Sequence, residues 1–318
     1  MDSGKHEIER FGDPIAEPTI SVIVVSHESR GELFDCLDSL REQDYRDFEI
    51  LLVDNGSIER RRLAGYDTYY IALGRNYGPS YARNVGAAMA NGSIVAFIDD
   101  DALADRDWLR MIVRRLSDSQ TTAARGKVLP LRKRSVFNLV AFHYDLGDKV
   151  IPWYLDVEGN SAVRKSAFLR VGGFDSALFG EEGVDLSRRL DDRGGRVVYD
   201  PSMIVHHDYA DSLRHFVLKN YRHGRNEASQ RRSDTELESY QARFTDSAEK
   251  SSTSSAWGRR RMRARRTFNR LSGDRYGLKM SRRARGAALA LYSLAMFSYH
   301  SGKLASALRA ASLRKQIS

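Results

Sequence analysis

Apolar positions along the chain keep two rhythms that alternate with each other. Ile20 to Ser26 (ISVIVVS) is a β-branched run without a polar gap, and it predicts a strand buried on both faces. Arg30 to Glu42 follows with Leu33, Cys36, Leu37 and Leu40 at helical spacing. Phe48 to Val53 predicts a second strand, ended by the turn formers Asp54-Asn55-Gly56-Ser57, and Thr68 to Ala72 a third. A helix from Pro79 to Ala90 stops at Asn91-Gly92, and the apolar run Ile94 to Ile98 is the fourth strand. Strands alternating with helices imply a mostly parallel sheet with right-handed crossovers.

Farther on the rhythm loosens. Asp105 to Leu116 is an amphipathic helix with Trp108, Ile112 and Leu116 toward the core, whereas Thr121 to Leu129 and Ser135 to Ile151 mix strand and loop character. Gly159 to Val163 is a strand, Lys165 to Val171 a short helix and Gly172-Gly173 a tight turn. Glu181 to Arg193 is helical, and Arg196 to Tyr199 and Met203 to His206 close the series as short strands. Leu213 to Asn226 is a helix, the Ser-rich stretch 226–256 a polar linker or lid, and Trp257 to Arg270 and Arg282 to Arg309 are basic helices. Residues 1–17 are polar and form an expected disordered leader.

Composition sharpens this picture in two places. The single cysteine, Cys36, allows no internal disulfide and no zinc spacing, which points to a reducing, cytoplasmic compartment. The longest uncharged apolar stretch, Gly286 to Gly302, is shorter than the roughly 20 residues of a spanning helix. The net charge of +9 is concentrated in the tail. Twelve Lys or Arg face one acid, Asp274, between Ala256 and Arg285, a sum of +11 that leaves about −2 for the rest. A basic helix with an Ala/Leu face suits peripheral contact with an anionic membrane, at its inner face for a cytoplasmic protein. Nucleic acid is not expected, because the tail's aromatics are sparse and no nucleic-acid motif accompanies them.

The chemistry gathers at Asp99-Asp100-Asp101, which closes the fourth strand. Open α/β sheets bind ligands at the carboxyl ends of their strands, and clustered carboxylates with hard oxygen donors suit Mg²⁺ or Mn²⁺ shared with a phosphate. The competing reading is a solvated acidic turn ahead of the next helix.

Seven segments in order resemble one family: SVIVVSHES, EILLVDNGS, GRNYGPSYARNVGAAMANG, FIDDDA, GNSAVRKSAFLRVGGFD, FGEEGVDLSRRL, and YDPSMIVHH followed by Ser212. From about Thr19 to Ser212 the chain is similar to an inverting family-2 glycosyltransferase of the GT-A fold. The resemblance implies an α/β domain over 18–225, with a mostly parallel sheet flanked by helices and an α-helical extension over 257–318. It implies a nucleotide-sugar donor, UDP or dTDP by preference, an Mn²⁺ or Mg²⁺ cofactor, and a sugar, lipid-linked or small-molecule acceptor. No oligomeric state follows from it.

Residue by residue, the resemblance assigns Asp54 to the pyrimidine base, with Ser26 and Glu28 lining the same pocket, and Arg83 and Asn84 to the donor phosphates. Asp101 becomes the main metal ligand, Asp99 a ribose or second metal contact, and Asp100 the least committed acid. His207 stands at the spacing of the family's metal-binding histidine, and Asn160 and Arg164 would lie beside the donor sugar; a structural tie is their alternative. The family's Glu-Asp-x-Asp-Leu is replaced by Glu181-Glu182-Gly183-Val184-Asp185-Leu186, and counted back from Asp185 the base position falls on Gly183. Glu182 is the expected base and Glu181 the second candidate. Asp185 is the remaining candidate acid, structural or acceptor-orienting. Three other readings compete: a silent nucleotide-sugar binder, a nucleic-acid-binding protein, and a nucleotidyltransferase, for which no Gly-rich phosphate loop is present near the first strand.

Overall fold

A computed structural model describes residues 7–28, 31–57, 60–132, 135, 137–138, 144–178, 180–229, 235–245 and 282–317. Two compact units are distinguished, one of residues 1–128 and 146–207 and one of residues 129–145 and 208–318. The first is built on a sheet of ten strands: β1 Glu7–Phe11, β2 Ile20–Glu28, β3 Phe48–Ser57, β4 Thr68–Ala72, β5 Ile94–Asp99, β6 Leu103–Ala104, β7 Ala123–Leu129, β8 Ile151–Pro152, β9 Asn160–Arg164 and β10 Val197–His206. Its helices are α1 Gly31–Arg41, α2 Pro79–Met89, α3 Trp108–Ser117, α4 Lys165–Arg170 and α5 Glu182–Asp191.

The strand order is β1-β4-β3-β2-β5-β9-β7-β10-β6, with β8 beside β10. The run β4-β3-β2-β5 is parallel. After β4 the chain crosses to the other side of β2 to make β5, so the topological switch lies between β2 and β5, where Val25 pairs with Asp99. Parallel strands at a switch point diverge at their carboxyl ends and leave a crevice there. Beyond β5 the sheet turns antiparallel: Ile98 pairs with Asn160 and Ile94 with Arg164.

The parallel half follows its apolar runs. Ile20, Val22, Ile23 and Val24 are fully buried, as expected for a strand covered on both faces. Helix α2 enters through Gly78, at φ 87°, followed by Pro79 at its first turn. Phe97, Phe168 and Phe174 form a triangle with ring centroids 5.3 to 5.6 Å apart and join β5 to α4 and the loop after it.

Three departures from the sequence reading have physical causes. Glu7–Phe11, inside the stretch expected to be a disordered leader, is an edge strand antiparallel to β4, and Phe11 packs edge-on against Tyr70. Strand β7 carries Arg125 and Lys127 in its interior; Arg125 is fully buried, held by Asp156 at 2.7 Å and stacked over Tyr199. The two last strands are one, β10, which runs through Pro201.

In the second unit are α6 Leu213–Ser229, α7 Thr235–Thr245 and α8 Arg282–Ile317. Helix α7 lies in the stretch read as a linker, and the expected helix from Trp257 to Arg270 lies outside the described residues. Ala210, Phe216 and Leu291 form this unit's apolar centre. Helices α6 and α8 meet through glycine: a Cβ on Gly224 would overlap the Tyr299 carbonyl oxygen, and one on Gly302 that of Tyr221. No described helix is long and apolar enough to cross a membrane.

Candidate active site

The carboxyl ends of the parallel strands present most of the expected donor residues. Ser26 of β2, nearly fully buried, is opposite Asp54 of β3 in register, and Glu28 ends β2 opposite Ser57. Asp54 is 5% exposed; it accepts the Tyr70 hydroxyl and, at 2.9 Å, the Gly56 N–H. Burial, and then the hydrogen bond to Asp54, push the Tyr70 phenol up to about 12, so Tyr70 stays a donor to this carboxylate. Neighbouring Asn55 accepts the Tyr77 N–H at 2.8 Å and donates to Asn76 at 3.1 Å, which ties the loop ahead of α2 to the tip of β3.

Across the switch point, α2 turns Arg83 toward the end of β5. Its guanidinium is 2.7 Å from Asp99, with 9% of the side chain exposed. Burial acts to lower the proton affinity of Arg83, but the carboxylates of Asp99, Glu158 and Glu182 outweigh it and the net direction is up. Gly159 leaves room for this pair: a Cβ there would overlap the Asp99 carboxylate and displace it. Glu182, 4% exposed in the first turn of α5, accepts the Ser80 hydroxyl at 3.2 Å through Oε1, while Oε2 has no hydrogen-bond partner among the described residues. Glu181 is the residue that precedes α5, and its carbonyl accepts the Asp185 N–H at 2.9 Å.

Asp101 lies in the turn after β5, past Asp100, and its Oδ1 is 3.3 Å from Nδ1 of His207. Neighbouring ligands in an octahedral shell with metal–ligand distances of about 2.1 Å stand about 3 Å apart, so this pair suits two adjacent positions on one Mn²⁺ or Mg²⁺. Asp99 is engaged by Arg83 and does not join them. Among the described residues no group of three or more His, Cys, Asp or Glu side chains converges as a metal site. His206 is turned to Asp105, at 3.1 Å.

Four expected site residues have other employment. Asn160 is fully buried, accepts the Trp108 indole N–H at 2.9 Å and donates to the carbonyls of Lys127 and Met203. Arg164 donates to the carbonyls of Thr121, Leu116 and Asp118, at the end of α3 and the turn after it. It faces Ile94, the first residue of β5, at the sheet edge away from Asp99. Asn84 brackets Phe174 with two backbone hydrogen bonds of 2.8 Å. Asp185 pairs with Arg189 at 2.7 Å, and Arg189 grips the carbonyls of Val171 and Gly173, closing the turn at Gly172-Gly173 (φ 86° and 69°). Arg164→Met should therefore lower stability by about 2 kcal/mol through stranded carbonyls and leave nucleotide affinity unchanged. Urea unfolding beside a nucleotide titration checks both.

Glu158, which sequence reasoning passed over, belongs to the site. Its Oε1 accepts the Gly183 N–H at 3.0 Å, from the loop before β9. Burial first, and then the charge of Glu182, push its carboxyl up to about 7. No periodicity or motif marks it; the only signal is an acid directly before Gly159-Asn160.

A buried aspartate at the tip of β3, an arginine on a strand-end aspartate and an Asp–His pair in the turn after β5 are the geometry of this strand edge. Residues 21–138 match the model of glycosyl transferase family 2. That match takes in the elements from β2 through β7, the donor side of the site included. It is 30% identical over 189 residues to the pre-mycofactocin glycosyltransferase of Mycobacterium tuberculosis, covering 55% of this chain and 40% of that protein. It is 26% identical over 234 residues to the glucosyl-dolichyl phosphate glucuronosyltransferase of Haloferax volcanii, covering 64% and 75%. The chain thus spans well under two thirds of the first of these relatives. In fold it is similar to the mannosyltransferase PcManGT from Pyrobaculum calidifontis, solved in complex with GDP-Man and Mn2+, with a TM-score of 0.55, 20% identity, and 93% and 88% of the two chains covered. The α/β unit here has the GT-A fold.

Proposed function

We propose that this chain transfers a sugar from a nucleoside diphosphate to an acceptor nucleophile with inversion at the anomeric carbon. The observation that carries the reading is the meeting of Arg83, Asp99 and Glu182 at the carboxyl edge of the parallel strands. Asp54, held by Tyr70 and Gly56, is suited to accept from a pyrimidine imide, which favours UDP or dTDP. The Arg83 guanidinium is planar and buried, and it can take a phosphate oxygen in exchange for Asp99. Asp101 and His207 would hold Mn²⁺ or Mg²⁺. Such an ion supplies charge neutralisation for a departing diphosphate. Glu182 takes the acceptor's proton as attack proceeds, with Glu181 the second candidate. The Oε2 of Glu182, without a hydrogen-bond partner among the described residues, is a buried acceptor awaiting a donor.

The acceptor belongs to a sugar, a lipid-linked sugar or a small molecule. Peripheral membrane contact is part of the same proposal: Phe297 and Leu304 are 72% and 61% exposed, one heptad apart on α8, and the twelve Lys or Arg of 256–285 precede them in sequence.

A thermal-shift panel of UDP, dTDP, GDP and their sugars, with and without Mn²⁺, tests the reading. At a hundredfold excess over Kd, a ligand of the folded state should raise Tm by about 5 °C. A panel in which no nucleotide shifts Tm would sink it. A nucleotide-sugar binder without turnover is the second reading, favoured by Gly183 at the base position; Mn²⁺-dependent release of nucleoside diphosphate from any donor excludes it.

A further inference from the structure

The residue at the family's base position has no side chain, yet the space that side chain would enter is filled. An ideal Cβ on Gly183 would be 2.5 Å from Oε1 of Glu158 and would overlap the Leu155 carbonyl oxygen. The same Glu158 oxygen accepts the Gly183 N–H at 3.0 Å. Another element has therefore put a carboxylate over the first turn of α5, where an aspartate at 183 would carry its own. Glycine at 183 is what makes room for it.

We propose that Glu158 replaces the missing carboxylate of position 183 and forms, with Glu182, the two-carboxylate base that takes the acceptor's proton. This rests on the transfer reading above. In the step, the acceptor oxygen bonds to the anomeric carbon, and the bond from that carbon to the diphosphate oxygen breaks. The bonding pair leaves with the nucleoside diphosphate, and the hydroxyl proton passes to the carboxyl pair.

Both carboxyls are drawn into the protein: Glu182 is almost wholly enclosed and held by Ser80, and Glu158 is half-buried in the loop before β9. The charged groups acting on Glu158 are Glu182 of α5, Arg83 of α2 and Asp99 of β5. Two acids at close quarters do not both ionise freely, so one keeps a high proton affinity. The upward push to about 7 is that expected of a general base working near neutral pH.

Glu158→Gln separates this role from mere capping, because a glutamine oxygen still accepts the Gly183 N–H while the charge is gone. The probes are UDP binding, Mn²⁺-dependent UDP release from UDP-N-acetylglucosamine and UDP-glucose, and ¹³C NMR titration of glutamate carboxyls. E158Q should keep its Tm and its UDP affinity within about twofold and lose UDP release by about 10² or more. The carboxyl that titrates near pH 7 should disappear in E158Q and move to lower pH in E182Q. If E158Q releases UDP at the wild-type rate, or a carboxyl still titrates near 7 in it, the proposal is overturned. Wild-type protein that binds no nucleotide refutes the transfer reading instead, and the carboxyl titration then still decides whether Glu158 and Glu182 form a pair.

Discussion

Arg83→Met is expected to destabilise the α/β unit by about 3 kcal/mol at pH 8 and to abolish nucleotide binding. Removing one partner of a buried ion pair leaves the other charge unbalanced, typically at 3–5 kcal/mol; the lower figure applies because 44% of the Asp99 side chain is exposed. Asp99, Glu158 and Glu182 would all lose their shared cation. The pH dependence has a definite sign. Glu158 in the folded protein holds its proton up to about pH 7, above its ordinary value of 4.5, so its contribution to stability is full below about 4.5 and is lost as pH rises through 7. Without Arg83 that window moves upward and the penalty grows with pH. Urea unfolding of R83M and wild type at pH 5.5 and 8 should give a difference distinctly larger at 8. A difference under about 1 kcal/mol at both values would mean that the arginine is not the charge balancing this cluster.

Placing an aspartate at position 183 is the second large effect, and its expected direction is loss. Gly183→Asp should cost about 3 kcal/mol and leave no transfer activity, since the new Cβ overlaps a backbone oxygen of Leu155 and its carboxylate joins Glu158 and Glu182. Gly183→Ala isolates the steric part. Helix propensity alone favours alanine by about 1 kcal/mol at an interior position, whereas the overlap with Leu155 is an overpacking cost of about 1–3 kcal/mol. Alanine should therefore lower Tm, and an alanine variant that melts higher than wild type would disprove the close approach of this turn to Leu155.

How far the fold could be read from sequence depends on where each residue's partners come from. Strands β2, β3 and β5 were legible because their burial is a local property: unbroken apolar runs closed by turn formers. Strand β7 was not, since Arg125 and Lys127 are tolerable in its interior only through Asp156, Tyr199 and Asp148, all of which come from later in the chain. Asn160 and Arg164 illustrate a subtler failure. Their spacing is right for one face of a strand, but four residues of strand span about 13 Å, and the antiparallel run of β9 sends Arg164 to the amino end of β5. The Asp101–His207 pairing was accessible through motif order, although 106 residues separate the two. Glu158 was not, because what distinguishes it is the absence of a side chain 25 positions later.

Gly224 and Gly302 bring a different kind of consequence. At Gly224 and Gly302 the surfaces in contact between α6 and α8 are main-chain atoms of Tyr299 and Tyr221. Main chain has no rotamers, so these two points cannot re-pack to absorb a push, and they behave as a strut beside the side-chain packing of Phe216 on Leu291. Phe297 and Leu304 project from that strut at an interval that no side-chain adjustment at these points can alter.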